Sequence, residues 1–410
     1  MNHDLRAKRT RGFPVAMLIA LLFSACSGVE MVQSCFGNDG IDRTAPDFIT
    51  ASLLVISPGN ELYSSMGHSC FRLECPSFNL DYCFSYESES AKGRMLSLLS
   101  GRLKMGMFEV PTAEYLGKCR ESGRGIMQYR LNLPSDAKQR LWKHLEEKAA
   151  EGITLPYDCL RRGCAQSMLV ALRETLKPYR LDVGEWMPKY AGTRREIVED
   201  FVKDQSWTRL LLHTFSGMEL DRDVPKHEKV VLPEDLAQFL KSAKVCGQPV
   251  IAEPGVELAA AVDLKREHQI SPMAISAMAL GMVCLNLFVK THWIDMPLLL
   301  FQALFGAALS YLVFVSDFFG TNWNWLLVPF NLLPLVFWRW RRKWALWFAC
   351  VLVLWEICMV ASPHRLTDPA YLMLVWAYIV IYTQIGLQHL MKTQISSRQK
   401  QENTQERKIQ

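Results

Sequence analysis

The sequence predicts an α+β exported domain followed by an all-α membrane domain of five helices. Three observations predict it. The chain opens on a short cationic and apolar stretch. Its middle alternates strand-like and helix-like apolar patterns. Its last third is dense in Leu, Val, Phe and Trp. The 410 residues allow two domains of ordinary size. The net charge of +5 comes with no basic and aromatic stripe, so nothing points to nucleic acid, and the basic runs have a membrane explanation.

The opening stretch reads as an export signal over residues 1–26. Lys8, Arg9 and Arg11 are its charged region, Pro14 to Phe23 its apolar region, and Ser24-Ala25-Cys26 a small-residue cleavage site. The apolar run is short for a membrane span. Cys26 also permits a lipoprotein signal, with Phe23 where Leu is usual. In both readings the domain that follows, residues 45–246, is exported.

Within that domain Pro58-Gly59 is a turn. Residues Gly67 to Glu74 read as a strand, with Ser69, Phe71 and Leu73 on one face and His68, Cys70 and Arg72 on the other. Pro76-Ser77 turns the chain into a second strand carrying Leu80, Tyr82, Phe84 and Tyr86 on one face. Leu96, Leu98, Leu99, Leu103, Met105 and Met107 form a strongly apolar stretch. Core is the favoured reading. In an enzyme that handles lipid, the same residues would line an acyl groove or dip into the outer leaflet. Residues 126–133 alternate as a strand, and Ser135 caps a helix to Gly152 with Leu141, Trp142 and Leu145 inward.

After Cys164, Met168, Leu169, Leu172 and Leu176 recur at helical spacing. Cys164 therefore falls at a helix N-terminus, where free N–H groups and the helix dipole favour a thiolate. Gly163 supplies an unusual backbone angle just before it, and Arg161 and Arg162 add positive charge. His68 on a strand and Cys164 at a helix start suit a base and a nucleophile. The competing reading is a structural histidine and a buried cysteine in a chain with 12 cysteines. His213 lies in an apolar helix-like run and reads as structural. Residues 247–272, polar and proline-containing, read as a linker.

Cys35, Cys70, Cys75, Cys83, Cys119, Cys159, Cys164 and Cys246 all fall in the exported part, where several can pair. No C-x-x-C pair and no matching histidine spacing points to a metal. No cofactor is called for. A nucleophilic Cys164 must stay free.

The membrane domain, residues 273–391, reads as five spans: Met273–Lys290, Met296–Val315, Trp323–Trp338, Trp344–Ala361 and Tyr371–Met391. Lys290, the run Arg339 to Lys343, and the basic tail 392–410 flank alternate ends. The positive-inside rule then puts the exported domain outside and the C-terminus in the cytoplasm. Two outer loops follow, one over Ser316–Trp325 and one holding His364 and Arg365. Glu356 is an intramembrane carboxylate and a functional candidate, or else bonds to a neighbouring helix.

The run Pro58-Gly59, Glu61, Tyr63-Ser64, Gly67-His68-Ser69 and Arg72, with the later Tyr157-Asp158 and Gly163-Cys164-Ala165, resembles the N-terminal periplasmic domain of the Lnb-type lipoprotein N-acyltransferases. In that family Asn often precedes the Cys, and here Gly163 does. Thr321, Asn322-Trp323-Asn324 and Pro329-Phe330-Asn331 resemble a motif of the same family's membrane region. The resemblance implies a permuted papain-like (NlpC-type) fold, with His before Cys in the chain, and a catalytic pair of His68 and Cys164. It implies an acyltransferase at the bacterial inner membrane. A Cys thioester would carry an acyl chain from a membrane lipid or lipoprotein donor to the N-terminal cysteine of a diacylglyceryl lipoprotein. Candidates for the third catalytic member are Ser85, Tyr86 and Tyr82. Asp317, Asn322 and Asn324 are candidates for shaping the lipid site, against a blander role for their loop as a tryptophan anchor. Two alternatives remain open. One is a cell-wall cysteine peptidase or amidase. The other is a non-catalytic membrane sensor, which a disulfide from Cys164 to Cys159 or Cys119 would favour.

Overall fold

The computed structural model describes residues 42–409, apart from 60–63, 90–93, 158–162, 185, 187–191, 203–204, 225–229, 263–268, 290–292, 319, 334–340 and 363–366. The signal region with Cys26 and Cys35, and Asp158, Cys159, Arg161, Arg162, His364 and Arg365, lie outside the described residues. The chain divides into two compact units. One is Met1–Gly192 with Val224–Arg266; the other is Thr193–Asp223 with Glu267–Gln410.

The first unit is built on a seven-stranded sheet. In chain order its elements are β1 (Thr50–Ile56), β2 (His68–Cys75), β3 (Leu80–Ser88), α1 (Met95–Leu99), β4 (Lys104–Pro111), α2 (Thr112–Glu121), β5 (Ile126–Arg130), α3 (Ser135–Glu151), β6 (Ile153–Pro156) and α4 (Cys164–Thr175). The sheet order is β10-β5-β1-β2-β3-β4-β6, where β10 is Val256–Ala259, and each neighbouring pair is antiparallel. The stretch expected as linker thus supplies an edge strand, against β5. The final helix of this unit is α7 (Pro233–Ser242), and β7 (Leu181–Val183), β8 (Ala243–Val245) and β9 (Gln248–Pro249) make a second small sheet.

Both strands expected around His68 form, and their alternation is the expected one. Ser69, Phe71 and Leu73 are buried, while His68, Arg72 and Glu74 are half-buried. The turn between them is a 3-10 turn over Pro76–Phe78 closed by Asn79 at φ 54. Phe84 of β3 meets Trp142 of α3 edge-on at 6.3 Å, so α3 covers that face. The opposite face carries Thr112, Tyr115 and Cys119 of α2, all buried, with Cys83 Sγ 3.5 Å from Thr112 Oγ1. A sheet covered on both faces explains why both side-chain sets of β1 are buried.

Two local expectations are corrected. Ser135 makes no cap: the cap position is Pro134, and the Ser135 hydroxyl donates instead to the Ala45 carbonyl at 3.2 Å. Gly163 has no unusual backbone angle. Its φ of −66 and ψ of 171 are extended backbone open to any residue. The strained glycine is Gly67, at φ 75, where a Cβ would lie 2.8 Å from the Ile56 carbonyl oxygen.

Strand pairing gathers several connections at one end of the sheet. Ile56 pairs with both His68 and Ile126, Ser88 with Met105, and Lys104 with Pro156. The loops after β1, after β3 and after β6 therefore all emerge where β2 begins. His68 is the first residue of β2, and the chain leaving β6 leads to Cys164.

The second unit holds α5 (Arg194–Val202), α6 (Ser206–Phe215), α8 (Pro272–Val289), α9 (Asp295–Phe314), α10 (Arg341–Ala361) and α11 (Pro369–Ile409). Among the described residues, the last four are the helices long and apolar enough to cross a membrane. The expected third span, Trp323–Trp338, does not begin as a helix. Residues 323–332 turn irregularly around a short 3-10 turn at Trp325–Leu327, and 334–340 lie outside the described residues. The reason is local. Trp323 adopts φ 57, and the Asn324 side chain accepts the Leu326 N–H and so caps the 3-10 turn.

Segment 193–223 packs with the loop after α9. Asn324 Nδ2 donates to the Thr214 carbonyl at 2.8 Å, and Gly217 N donates to the Gly320 carbonyl at 2.5 Å. Arg209 pairs with Asp368 at 2.8 Å just before α11, and Thr214 and Tyr371 share a hydrogen bond. Arg195, buried, pairs with Asp221 at 2.6 Å and donates to the Gly217 carbonyl. The loops after α9 and before α11 thus share one end of this unit.

Candidate active site

The site begins with a helix start laid against a strand start. Helix α4 buries Ala165, Met168, Leu169, Ala171 and Leu172 against the sheet and α3. Deleting most of one such side chain costs about 2–5 kcal/mol. That packing fixes the first turn of α4, and so Cys164, at the end of β2. Cys164 is half-buried and carries a free thiol; Cys70, Cys75, Cys83, Cys119 and Cys246 are free thiols too. Cys119 is therefore not bridged to Cys164.

The structure brings His68 and Cys164 together. Each side chain shifts the ionisation of the other. His68 Nε2 lies 2.6 Å from Ser85 Oγ on the neighbouring strand, which leaves Nδ1 for the sulfur. Ser85 is fully buried. Tyr86, the next residue on β3, points to the opposite face, where burial raises its hydroxyl above the usual range. The alternation that exposes Ser85 to His68 excludes Tyr86 and Tyr82 from it.

Electrostatics at the pair favour charge separation. Burial pushes the Cys164 thiol up. The charge of His68, its hydrogen bond, and the hydroxyl and backbone N–H of Ser69 outweigh this and bring the thiol down to about 7. Burial pushes the His68 imidazole down, but the Cys164 sulfur, by charge and hydrogen bond, and Glu87 raise it above its ordinary value against the opposing Arg124. A thiolate beside an imidazolium is the nucleophilic form of a cysteine.

Sequence reasoning missed two residues here. Ser69 is fully buried beside Cys164 and helps to lower its thiol, while its own Oγ has no hydrogen-bond partner among the described residues. The signal was available, since Ser69 directly follows His68. Tyr115, buried on α2, lies near Ser85 and the Cys70 thiol on the side away from His68, and burial raises its hydroxyl well above the usual range. Nothing in its sequence context distinguished it from a core tyrosine. Of the residues expected to support a lipid site, Asn324 is buried as a brace between Thr214 and Leu326. Asp317 and Asn322 are exposed on the same loop. Glu356 is buried, and its Oε1 has no partner among the described residues. His213 bonds Glu199 at 2.7 Å, a packed structural pair. No group of His, Cys, Asp and Glu among the described residues is arranged to hold a metal ion.

Residues 40–198 match the family model of the Lnb N-terminal periplasmic domain. The chain carries an Lnb-type N-terminal periplasmic domain. No curated protein and no solved structure matches it. The Lnb domain points to lipoprotein maturation, and the family that carries it is associated with enzymatic lipoprotein modification. The matched segment begins before β1 and ends within α5, so it contains both His68 and Cys164. With its periplasmic domain and four membrane-length helices, the Lnb-type chain is a multi-pass inner-membrane protein.

Proposed function

We propose that this Lnb-type protein N-acylates the N-terminal cysteine of diacylglyceryl lipoproteins through a thioester on Cys164. The observation that carries the reading is His68 set beside Cys164 at the N-terminus of α4, each shifting the other's ionisation, with Ser85 2.6 Å behind His68. The Cys164 thiolate attacks the carbonyl carbon of a lipid ester. The tetrahedral oxyanion is held by N–H groups at the start of α4, among them that of Cys164. On collapse the ester C–O bond breaks, and His68 gives its proton to the departing alkoxide. The lipoprotein α-amine then attacks the thioester, His68 takes the amine proton, and the C–S bond breaks to restore the thiolate. Thioesters react readily with amines, so two moderate barriers replace one ester-to-amide exchange. Ser85 is the third member, which holds the imidazole in one orientation.

The antiparallel sheet, with histidine on a strand and a later cysteine at a helix start, fits a permuted papain-like arrangement. The free thiol of Cys164 weighs against a disulfide-locked sensor. Lipoprotein chemistry weighs against peptidoglycan as substrate. Chain continuity supports the expected orientation: residues 193–223 run at both ends into the exported domain, which favours a periplasmic side for the loops they bind and a cytoplasmic tail after α11.

The test is mass spectrometry of lipoprotein N-terminal peptides from cells whose only copy is wild type, Cys164→Ala or His68→Ala. Loss of the N-linked acyl chain in both variants, with the protein still inserted, supports the reading. Persistence of the chain overturns it.

A further inference from the structure

We propose that α1 and its flanks are a lipid-seating element that rests the active-site end of the first unit on the anionic outer surface of the membrane. The inference rests on the reading that Cys164 takes its acyl chain from a lipid. Helix α1 lies in the connection from β3 to β4, and that connection emerges at the sheet end where β2 begins with His68. The chain leaving β6 toward Cys164 is tied to the same connection, with Tyr157 N donating to the Leu103 carbonyl at 2.8 Å. Of the apolar run here, Leu103, Met105 and Met107 are buried, as a core reading requires. Leu96 is not: it is 78% exposed. Leu155 on edge strand β6, paired with Met105, is 38% exposed.

The exposure of Leu96 is built in. Gly101 at φ 68 ends the helix, with Ser100 N bonded to the Leu96 carbonyl and Arg102 N to the Ser97 carbonyl. That closed turn holds Leu96 outward. Around it the charge has one sign. Between Arg94 and Lys104 the sequence holds Arg94, Arg102 and Lys104 and no acid, and all three cations are exposed. Glu89 offsets one of them through its 2.6 Å pair with Arg94. An outward leucine flanked in sequence by exposed cations fits the boundary of a bilayer whose headgroups are anionic, with the apolar tip in the acyl layer and the cations among the phosphates. A purely apolar protein partner leaves the cations unexplained. Seating this end also shortens the path of a donor ester to Cys164.

The experiment uses the full chain in nanodiscs. A photo-crosslinking benzoylphenylalanine replaces Leu96 in one sample and Val183 in another; Val183 is 40% exposed on β7. After illumination, lipid adducts are read by mass spectrometry in nanodiscs with phosphatidylglycerol and in nanodiscs of phosphatidylcholine alone. The expected result is at least about tenfold more lipid adduct at position 96 than at 183 in the anionic nanodiscs. It falls severalfold in phosphatidylcholine, and also in the Arg102→Gln, Lys104→Gln double variant. Equal adduct at the two positions overturns the seating. Adduct at 96 that ignores both lipid charge and the double variant overturns the anionic-surface assignment. The rate of Cys164 alkylation by iodoacetamide, unchanged in these variants, certifies the fold. The adduct is read without turnover, so it stands or falls independently of the acyltransferase reading.

Discussion

At the scale of residues, the site depends on which groups surround one sulfur. Cys164 is buried enough that its thiol alone would resist ionising, and His68 with Ser69 reverses this. The thiolate is lost as pH falls through about 7. The imidazolium is lost as pH rises through its raised value. The charged pair, and whatever stability it contributes, occupies the window between them. The rate of Cys164 alkylation should therefore rise with a midpoint near 7, and His68→Ala should move that midpoint upward, because burial is then opposed by Ser69 alone. An unmoved midpoint would show that the two side chains are not coupled. Ser85→Ala removes the 2.6 Å partner of His68. A buried hydrogen bond is worth about 1 kcal/mol net, so acyl transfer should slow roughly five- to tenfold. His68→Ala should cost about 10² to 10⁴ as the loss of a general base. A Ser85→Ala enzyme with wild-type turnover would remove Ser85 from the mechanism.

At the scale of elements, the decisive features are a strand start and a helix start. Gly67 at φ 75 leads directly into His68, and a side chain there would press on the Ile56 carbonyl. Gly67→Ala should destabilise by more than about 1 kcal/mol and depress Cys164 alkylation, while far-ultraviolet circular dichroism stays near wild type. Gly163→Ala should be tolerated, since its backbone is extended. An equal loss in both variants would contradict this distinction. Periodicity announced α4, β2 and β3 because each has one clean apolar face. It predicted helix for residues 323–332, which are instead irregular around a 3-10 turn, because apolar composition counts the same whether or not the backbone is helical. What interrupts the helix is a side-chain cap at Asn324 and a left-handed Trp323.

At the scale of the whole molecule, the first unit is interrupted in sequence. Residues 193–223 leave it, brace the loops of the membrane helices, and the chain then returns to complete the sheet domain with α7 and β10. The brace includes Arg209 on Asp368, whose carboxylate is only 2% exposed. Arg209→Ala leaves that charge unpartnered and should cost about 3–5 kcal/mol; a thermal shift in detergent checks it, and Asp368→Asn in the same background should recover part of the loss. Topology is testable with a membrane-impermeant maleimide on intact spheroplasts. Asn322→Cys should label directly, and Gln401→Cys only after permeabilisation. The reverse pattern would invert the proposed orientation.

The sequence by itself determined the exported and membrane halves, the strand pair carrying His68, the helix headed by Cys164 and the membership they indicate. Each of these is local: a periodicity, a charge asymmetry or a short motif within one element. Only the tertiary structure decided that Ser85 rather than Tyr86 stands behind His68, because strand register selects the face. It alone put Ser69 beside Cys164, turned Leu96 outward while Leu103 went inward, and tied residues 193–223 to the loops of the membrane helices. Those are relations between residues far apart in the chain. They follow from packing and pairing, which a pattern within any one segment does not contain.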